Sequence, residues 1–182
     1  MTPDWQIHDR FLELRSRWMT LIGEHLLTET GEQLEYWRVE RADSVIILPI
    51  QADRLLLPPP AYRPGVGHCT LDFPGGRVPT GQTAAEAIPG ILQRELGLPP
   101  QMIEDLQTLN VEGWPINSSF SNQKLFGFVA EIHPDVRLSP ESIGTTVLIT
   151  EGGIQDLLQH LTCLQCRAVL LEWWQRHPGL TA

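Results

Sequence analysis

The sequence predicts an α+β fold: a mixed sheet with helices, preceded by an N-terminal β-hairpin. Three observations carry the prediction. Val45-Ile46-Ile47-Leu48 is a short continuous apolar run, suited to a strand buried on both faces. Thr83, with Glu86 three residues on, is a capping-box signature that opens a helix. Gly153 to His177 is helical in pattern, as one long helix or two, and Pro178-Gly179 stops it. Strands, a capped helix, further strands and a closing helix make an α+β order.

At 182 residues the chain fits one domain with an extension, which we place at 1–43 before a domain at 44–182. In the extension, Asp4 to Ser16 spaces Trp5, Phe11, Leu12 and Leu14 in a near-helical way, so a short helix or a loose arm is expected. Trp18 to Leu27 is richer in strand formers. Thr28 to Glu32 signals a turn, and Leu34, Tyr36, Trp37 and Val39 suggest the partner strand of a hairpin.

The strand within Ser44–Ile50 turns at Gln51-Ala52-Asp53 into a second at Leu55–Leu57, which Pro58-Pro59-Pro60 stops because proline gives no ladder hydrogen bond. Ala61 to Gly67 reads as loop and His68 to Phe73 as strand. Turns at Pro74-Gly75-Gly76 and Pro79 to Gly81 lead to the helix at Thr83. Pro89-Gly90 falls inside that helix. An interior proline costs ~3 kcal/mol and a glycine ~1 more, so a kink or break is expected near 88–90. Gln101 to Gln107 reads as a short helix, Thr108 to Glu112 as strand-like, Lys124 to Ile132 as a strong strand, and Thr146 to Thr150 as a short one.

A net charge of −9 argues against a non-specific nucleic-acid binder and against adhesion to an anionic membrane, since both need a basic surface. No apolar run is long enough to span a bilayer. Met1 to Trp5 lacks a basic-then-apolar leader pattern, so a cytoplasmic location is expected. Cys69, Cys163 and Cys166 are too few for a disulfide framework. Cys163-x-x-Cys166, with His160 three residues before it, invites a zinc reading. The surrounding leucines suit plain burial, and a tetrahedral site needs further ligands.

Gly76-x5-Gln82-x7-Gly90-Ile91-Leu92-x-Arg94-Glu95-x-Gly97-Leu98 resembles the Nudix box, G-x5-E-x7-R-E-U-x-E-E-x-G-U with U aliphatic. Leu92, Gly97 and Leu98 match, and Glu95 keeps its acid. Gln82, Gly90, Ile91 and Arg94 depart from the pattern, which makes the box degenerate. Ala61-Tyr62-Arg63 and the loop Ser118 to Leu125 are similar to the ADP-ribose pyrophosphatase branch, where Gln123 stands at a position that tends to be glutamate. The similarity covers residues 34 to 177.

The resemblance implies a Nudix-type α/β/α sandwich and a homodimer formed through N-terminal strands. It also implies, in an active member, magnesium at box carboxylates. Magnesium takes hard oxygen ligands, and four family-matching positions lack the carboxylate: Gln82, Ile91, Arg94 and Gln123. Arg94 is the informative change, since it sets a fixed positive charge where the family holds a cation. One reading makes Arg94, with Arg63 and Arg77, a site for a phosphorylated ligand; the other makes it a solvated surface arginine paired with Glu95 or Glu86.

The expected function is a nucleotide-binding or protein-interaction module without pyrophosphatase activity and without a cofactor. Arg63, Asp72, Gly75, Gly76, Arg77, Arg94 and Gln123 are the candidate ligand contacts. One alternative is an active diphosphohydrolase using Mg2+, with Glu95 and Glu86 catalytic, Glu95 the metal ligand, and a cradle rebuilt from Asp72, Glu104 and Glu112. Another is a scaffold subunit anchored on a protein partner by tryptophans such as Trp5, Trp18, Trp173 and Trp174.

Overall fold

The most buried strands of the chain are its apolar runs, Ser44–Gln51 above all, while Gln33–Glu40 alternates between covered and exposed side chains. The computed structural model describes residues Trp5–Pro178, so Met1 to Asp4 and Gly179 to Ala182, with the calls made on them, lie outside the described residues. The chain divides into two compact units. One holds the chain up to Asp43 together with Pro115–Lys124; the other holds Ser44–Trp114 and the chain from Leu125 on.

In the first unit, β1 (Gln6–Arg15), β2 (Thr20–Leu27) and β3 (Gln33–Glu40) form an antiparallel sheet in that order. The expected hairpin is β2–β3, paired from Thr20↔Glu40 to Leu27↔Gln33. The expected helix or loose arm before it is instead the ten-residue strand β1. Its register shifts between Ile7 and Asp9 and between Arg10 and Leu12, which breaks the two-residue period and leaves a spacing that mimics a helix. Glu24, buried at 2% exposure, is held by Arg38 at 2.5 Å, with Arg10 at 3.6 Å. That contact raises the Arg38 pKa.

The second unit is built on β4 (Ser44–Gln51), whose Val45 to Leu48 are buried as expected. It is followed by β5 (Arg54–Leu57), β6 (Ala61–Arg63), β7 (His68–Thr70), β8 (Gly75–Arg77), helix α1 (Ala84–Leu96), β9 (Ile103–Thr108), β10 (Trp114–Pro115), β11 (Lys124–Ile132), β12 (Thr145–Leu148), α2 (Glu151–His160) and α3 (Leu164–Gln175). Strands β11, β4, β5 and β12 are neighbours in that order; β8 also pairs with β4 and β9 with β11. The β11–β4 pair is parallel and the β4–β5, β4–β8, β9–β11 and β5–β12 pairs are antiparallel, so the sheet is mixed.

Helices cover both faces of this sheet. On one side Val45, Ile47 and Phe128 pack with Ala87, Ile88, Ile91, Leu92 and Leu96 of α1. On the other, Gly127 leaves room for Val169 of α3, which a Cβ there would approach to 3.1 Å. Thr83 caps α1: its side chain accepts from the Glu86 amide while the Glu86 carboxylate accepts from the Thr83 amide. Gly97 ends the helix in the left-handed conformation (φ 65°), and the Leu98 amide donates to the Leu92 carbonyl.

Three local expectations yield to tertiary packing and pairing. Helix α1 runs unbroken through Pro89. Burial of Ile88, Ile91 and Leu92 around the proline, worth ~1.5–3 kcal/mol each, outweighs its ~3 kcal/mol cost. The helix expected over Gln101 to Gln107 is one 3-10 turn, Pro100–Met102, and then β9, drawn into the sheet by β11 (Ala130↔Leu106). Ala61–Arg63, expected as loop, is a strand paired with β7, which ends at Thr70 rather than Phe73. Of the two readings of the closing segment, one long helix or two, the structure has two, α2 and α3. Arg167 of α3 donates to the Leu158 and Leu161 carbonyls at the end of α2 and so caps it. No helix among the described residues is long and apolar enough to cross a membrane.

Candidate functional site

Gly75 and Gly76, expected in a turn, instead lie in strand β8 and place Arg94. Strand β8 pairs with β4 through Val45↔Gly76 and Ile46↔Gly75. A Cβ at Gly75 would lie 2.8 Å from the Val45 carbonyl oxygen, so this close backbone approach needs glycine. A Cβ at Gly76 would meet the Arg94 guanidinium at 3.1 Å and Ile91 at 3.5 Å. Into that space Arg94 reaches back from the last turn of α1. Its Nη2 donates to the Gly75 carbonyl (3.2 Å) and its Nε to Glu95 Oε1 (2.9 Å). The structure therefore brings Gly75, Gly76, Arg94 and Glu95 together. Arg94 remains 58% exposed, open to a ligand from solvent.

The residues present do not fit magnesium at this place. Its usual ligand set is several carboxylates and waters. Glu95 is paired with Arg94. Ile91 is buried in the core under β4. Gln82 is exposed in the turn before α1, its backbone N–H donating to the Pro79 carbonyl. The Glu86 carboxylate caps the helix, and its bonds from the Thr83 amide (2.7 Å) and hydroxyl (2.9 Å) lower its pKa. Glu104 lies 3.6 Å from His133. Among the described residues, Glu86, Glu95, Asp72, Glu104 and Glu112 form no group of three converging ligand atoms. Gln123 belongs to the first unit, where its buried amide donates to the Ala42 carbonyl (2.9 Å).

Arg63 and Asp72 form a second pair. Arg63 Nε donates to Asp72 Oδ2 (2.7 Å), and the Thr70 hydroxyl donates to the same oxygen (2.9 Å). Asp72 Oδ1 is buried with no hydrogen-bond partner. Arg77 is exposed at the end of β8.

Beside Asp72 lie Cys163, the N-cap residue of α3, and Cys166 one turn on. Cys163 makes no well-formed cap bond, yet the amides of Gln165 and Cys166 lie close enough to favour its thiolate. The larger effect is the hydrogen bond between the two sulfurs, which places the proton on Cys166. It lowers the Cys163 pKa to about 6, and with burial it pushes the Cys166 thiol well up. The convergence of Asp72 on this pair had no signal in the sequence beyond the Cys-x-x-Cys spacing. His160, the zinc candidate beside them, instead lies 2.9 Å from the Asp156 carbonyl of its own helix.

Clefts form elsewhere in the second unit. One of about 570 Å³ lies between Leu96, Met102, His133 and Leu138. Another of about 640 Å³ lies between Arg54, Leu71, Thr146 and His160.

No family model matches the sequence, and no curated protein compared with it does. Solved structures do resemble it. One, described as the crystal structure of an ADP compounds hydrolase, covers 97% of this chain and 95% of its own, with a TM-score of 0.77 and 23% identity. A likeness at that identity carries the fold. The chain has the expected α+β, Nudix-type arrangement of a mixed sheet between helices, with antiparallel strands at the N-terminus.

Proposed function

We propose that this protein is a Nudix-like module that binds a nucleotide-type, phosphorylated ligand and has lost metal-dependent pyrophosphatase activity. The observation that carries the reading is the Arg94 guanidinium, lodged over the Gly75 carbonyl and against Glu95. It sets a fixed cation where the box pattern has an acid. A guanidinium half in solvent suits a phosphate, which it grips through two parallel N–H bonds. Arg63 and Arg77 are the further basic contacts in this reading, and no cofactor is required.

The test is a thermal-shift and turnover series with ADP-ribose, NADH and nucleoside diphosphate sugars, with and without magnesium. Stabilisation in EDTA without product supports the reading. Magnesium-dependent turnover that Glu95→Gln abolishes would reject it in favour of a hydrolase.

We also propose that the protein is a homodimer through its first unit. Ile7, Phe11, Leu14, Trp18 and Trp37 are large apolar side chains left exposed on β1–β3 and the turn between β1 and β2, and exposed apolar groups of this kind suit a partner surface. Leu14→Asp with Trp18→Asp should convert a dimer to a monomer in sedimentation. A wild type that sediments as a monomer would end this proposal. One found only within a larger assembly would mark the same surface as a site for a protein partner.

A further inference from the structure

We propose that Asp72, Cys163 and Cys166 form a binding site for a soft divalent cation of the zinc class. The three ligands are side chains that the ligand reading of Arg94 does not use, although Arg63, a contact in that reading, also holds Asp72. One ligand atom from each residue, the two sulfurs and a carboxylate oxygen, lies within 4.8 Å of the other two. Asp72 and Cys166 are buried, and Cys163 is half-buried at the edge of the cluster.

The independent pointer is the carboxylate. Asp72 is 91% buried, from an exposure of 9%, and its Oδ1 has no donor. A buried, unpartnered carboxylate oxygen is costly to leave bare. Its other oxygen is fully used by Arg63 and Thr70, which hold the carboxylate in one orientation, as outer-shell partners do for metal ligands.

Geometry and charge agree. Tetrahedral zinc with Zn–S near 2.3 Å sets two sulfurs about 3.8 Å apart, a spacing that small side-chain rotations reach from the present cluster. Three protein ligands leave a fourth position, which water fills from the half-exposed Cys163 side. Each thiol that coordinates releases its proton to solvent, so binding is written as cation plus two thiols giving a dithiolate complex and two protons. Two thiolates and a carboxylate carry −3. The cation and Arg63 together carry +3, so the site closes neutral. Thiolate ligands select zinc-class ions over magnesium, which separates this site from the magnesium chemistry that the box pattern implies.

The test uses the full chain, reduced, stripped with chelator and kept anaerobic. Cobalt(II) is titrated and the thiolate-to-cobalt charge-transfer absorption followed. The expected result is saturation at one equivalent, bleaching by zinc, loss of the band in Cys163→Ser, and at least a tenfold weaker affinity in Asp72→Asn. Cys69→Ser should leave the titration unchanged. Because Cys166 is buried, Cys166→Ser is read only alongside its thermal melt, and Cys163→Ser and Asp72→Asn decide the question. No band at one equivalent overturns the proposal. So does an unchanged affinity in Asp72→Asn, or a band that survives Cys163→Ser.

Discussion

Arg94→Ala separates a ligand-binding arginine from a merely solvated one, because the two roles predict different sizes of effect on different readouts. The side chain makes one exposed ion pair, to Glu95, and one hydrogen bond, to the Gly75 carbonyl. Exposed pairs are worth roughly 0–1 kcal/mol, so the unfolding midpoint should barely move. A charge-assisted bond to a phosphate is worth roughly 1.5–3 kcal/mol. Arg94 is 58% exposed, so solvent screening holds the expected loss at the lower end. That is about 1.5 kcal/mol, or a little over tenfold in Kd. Calorimetric titration of ADP-ribose in EDTA, at low and at physiological salt, reads it directly. The wild type should bind without metal and more weakly at the higher salt. Arg94→Lys should recover part of the loss, since it restores charge without the planar fork. An Arg94→Ala protein that melts as wild type and binds ADP-ribose equally well would refute the reasoning.

Other perturbations bear on the scaffold and on the thiols. Pro89→Ala restores an amide that can donate to the Ala85 carbonyl inside α1. The helix cost of ~3 kcal/mol, less ~1 kcal/mol for the freer unfolded chain, predicts about 2 kcal/mol of added stability in urea unfolding; no gain would mean that the helix already accommodates the ring without strain. Glu86 has a pKa lowered by the Thr83 amide, so its contribution is present above its unfolded value and is lost as pH falls through the folded one. Glu86→Gln should therefore flatten the acid side of the stability–pH curve, and an unchanged slope would count against the capping role. In chelator-treated, reduced protein, alkylation of Cys163 should rise with pH through a midpoint at about 6, because the thiolate is the nucleophile. Cys166→Ala removes the S–H donor and should shift that midpoint upward, and mass spectrometry of the labelled peptide would show a failure to shift.

The sequence by itself determined the elements whose causes are local. Thr83 and Glu86 set the start of α1, Gly97 its end, and the apolar runs at Val45 to Leu48 and Lys124 to Ile132 two central strands. Capping bonds close within three residues, and burial on both faces needs only a short apolar run, so both leave a readable trace. The departures at Gln82, Ile91 and Arg94 were equally legible as residue types, although not as geometry. Tertiary structure alone decided the rest. Strand β9 exists because β11 offers it a ladder, β1 because β2 accepts a bulged partner, and the unbroken α1 because packing outweighs Pro89. The meeting of Asp72 with Cys163 and Cys166 depends on where α3 docks, a contact distant in sequence. The reason is range: hydrogen bonds within a turn are fixed by neighbours along the chain, whereas ladder pairing and side-chain convergence are fixed by which surfaces the folded chain buries together.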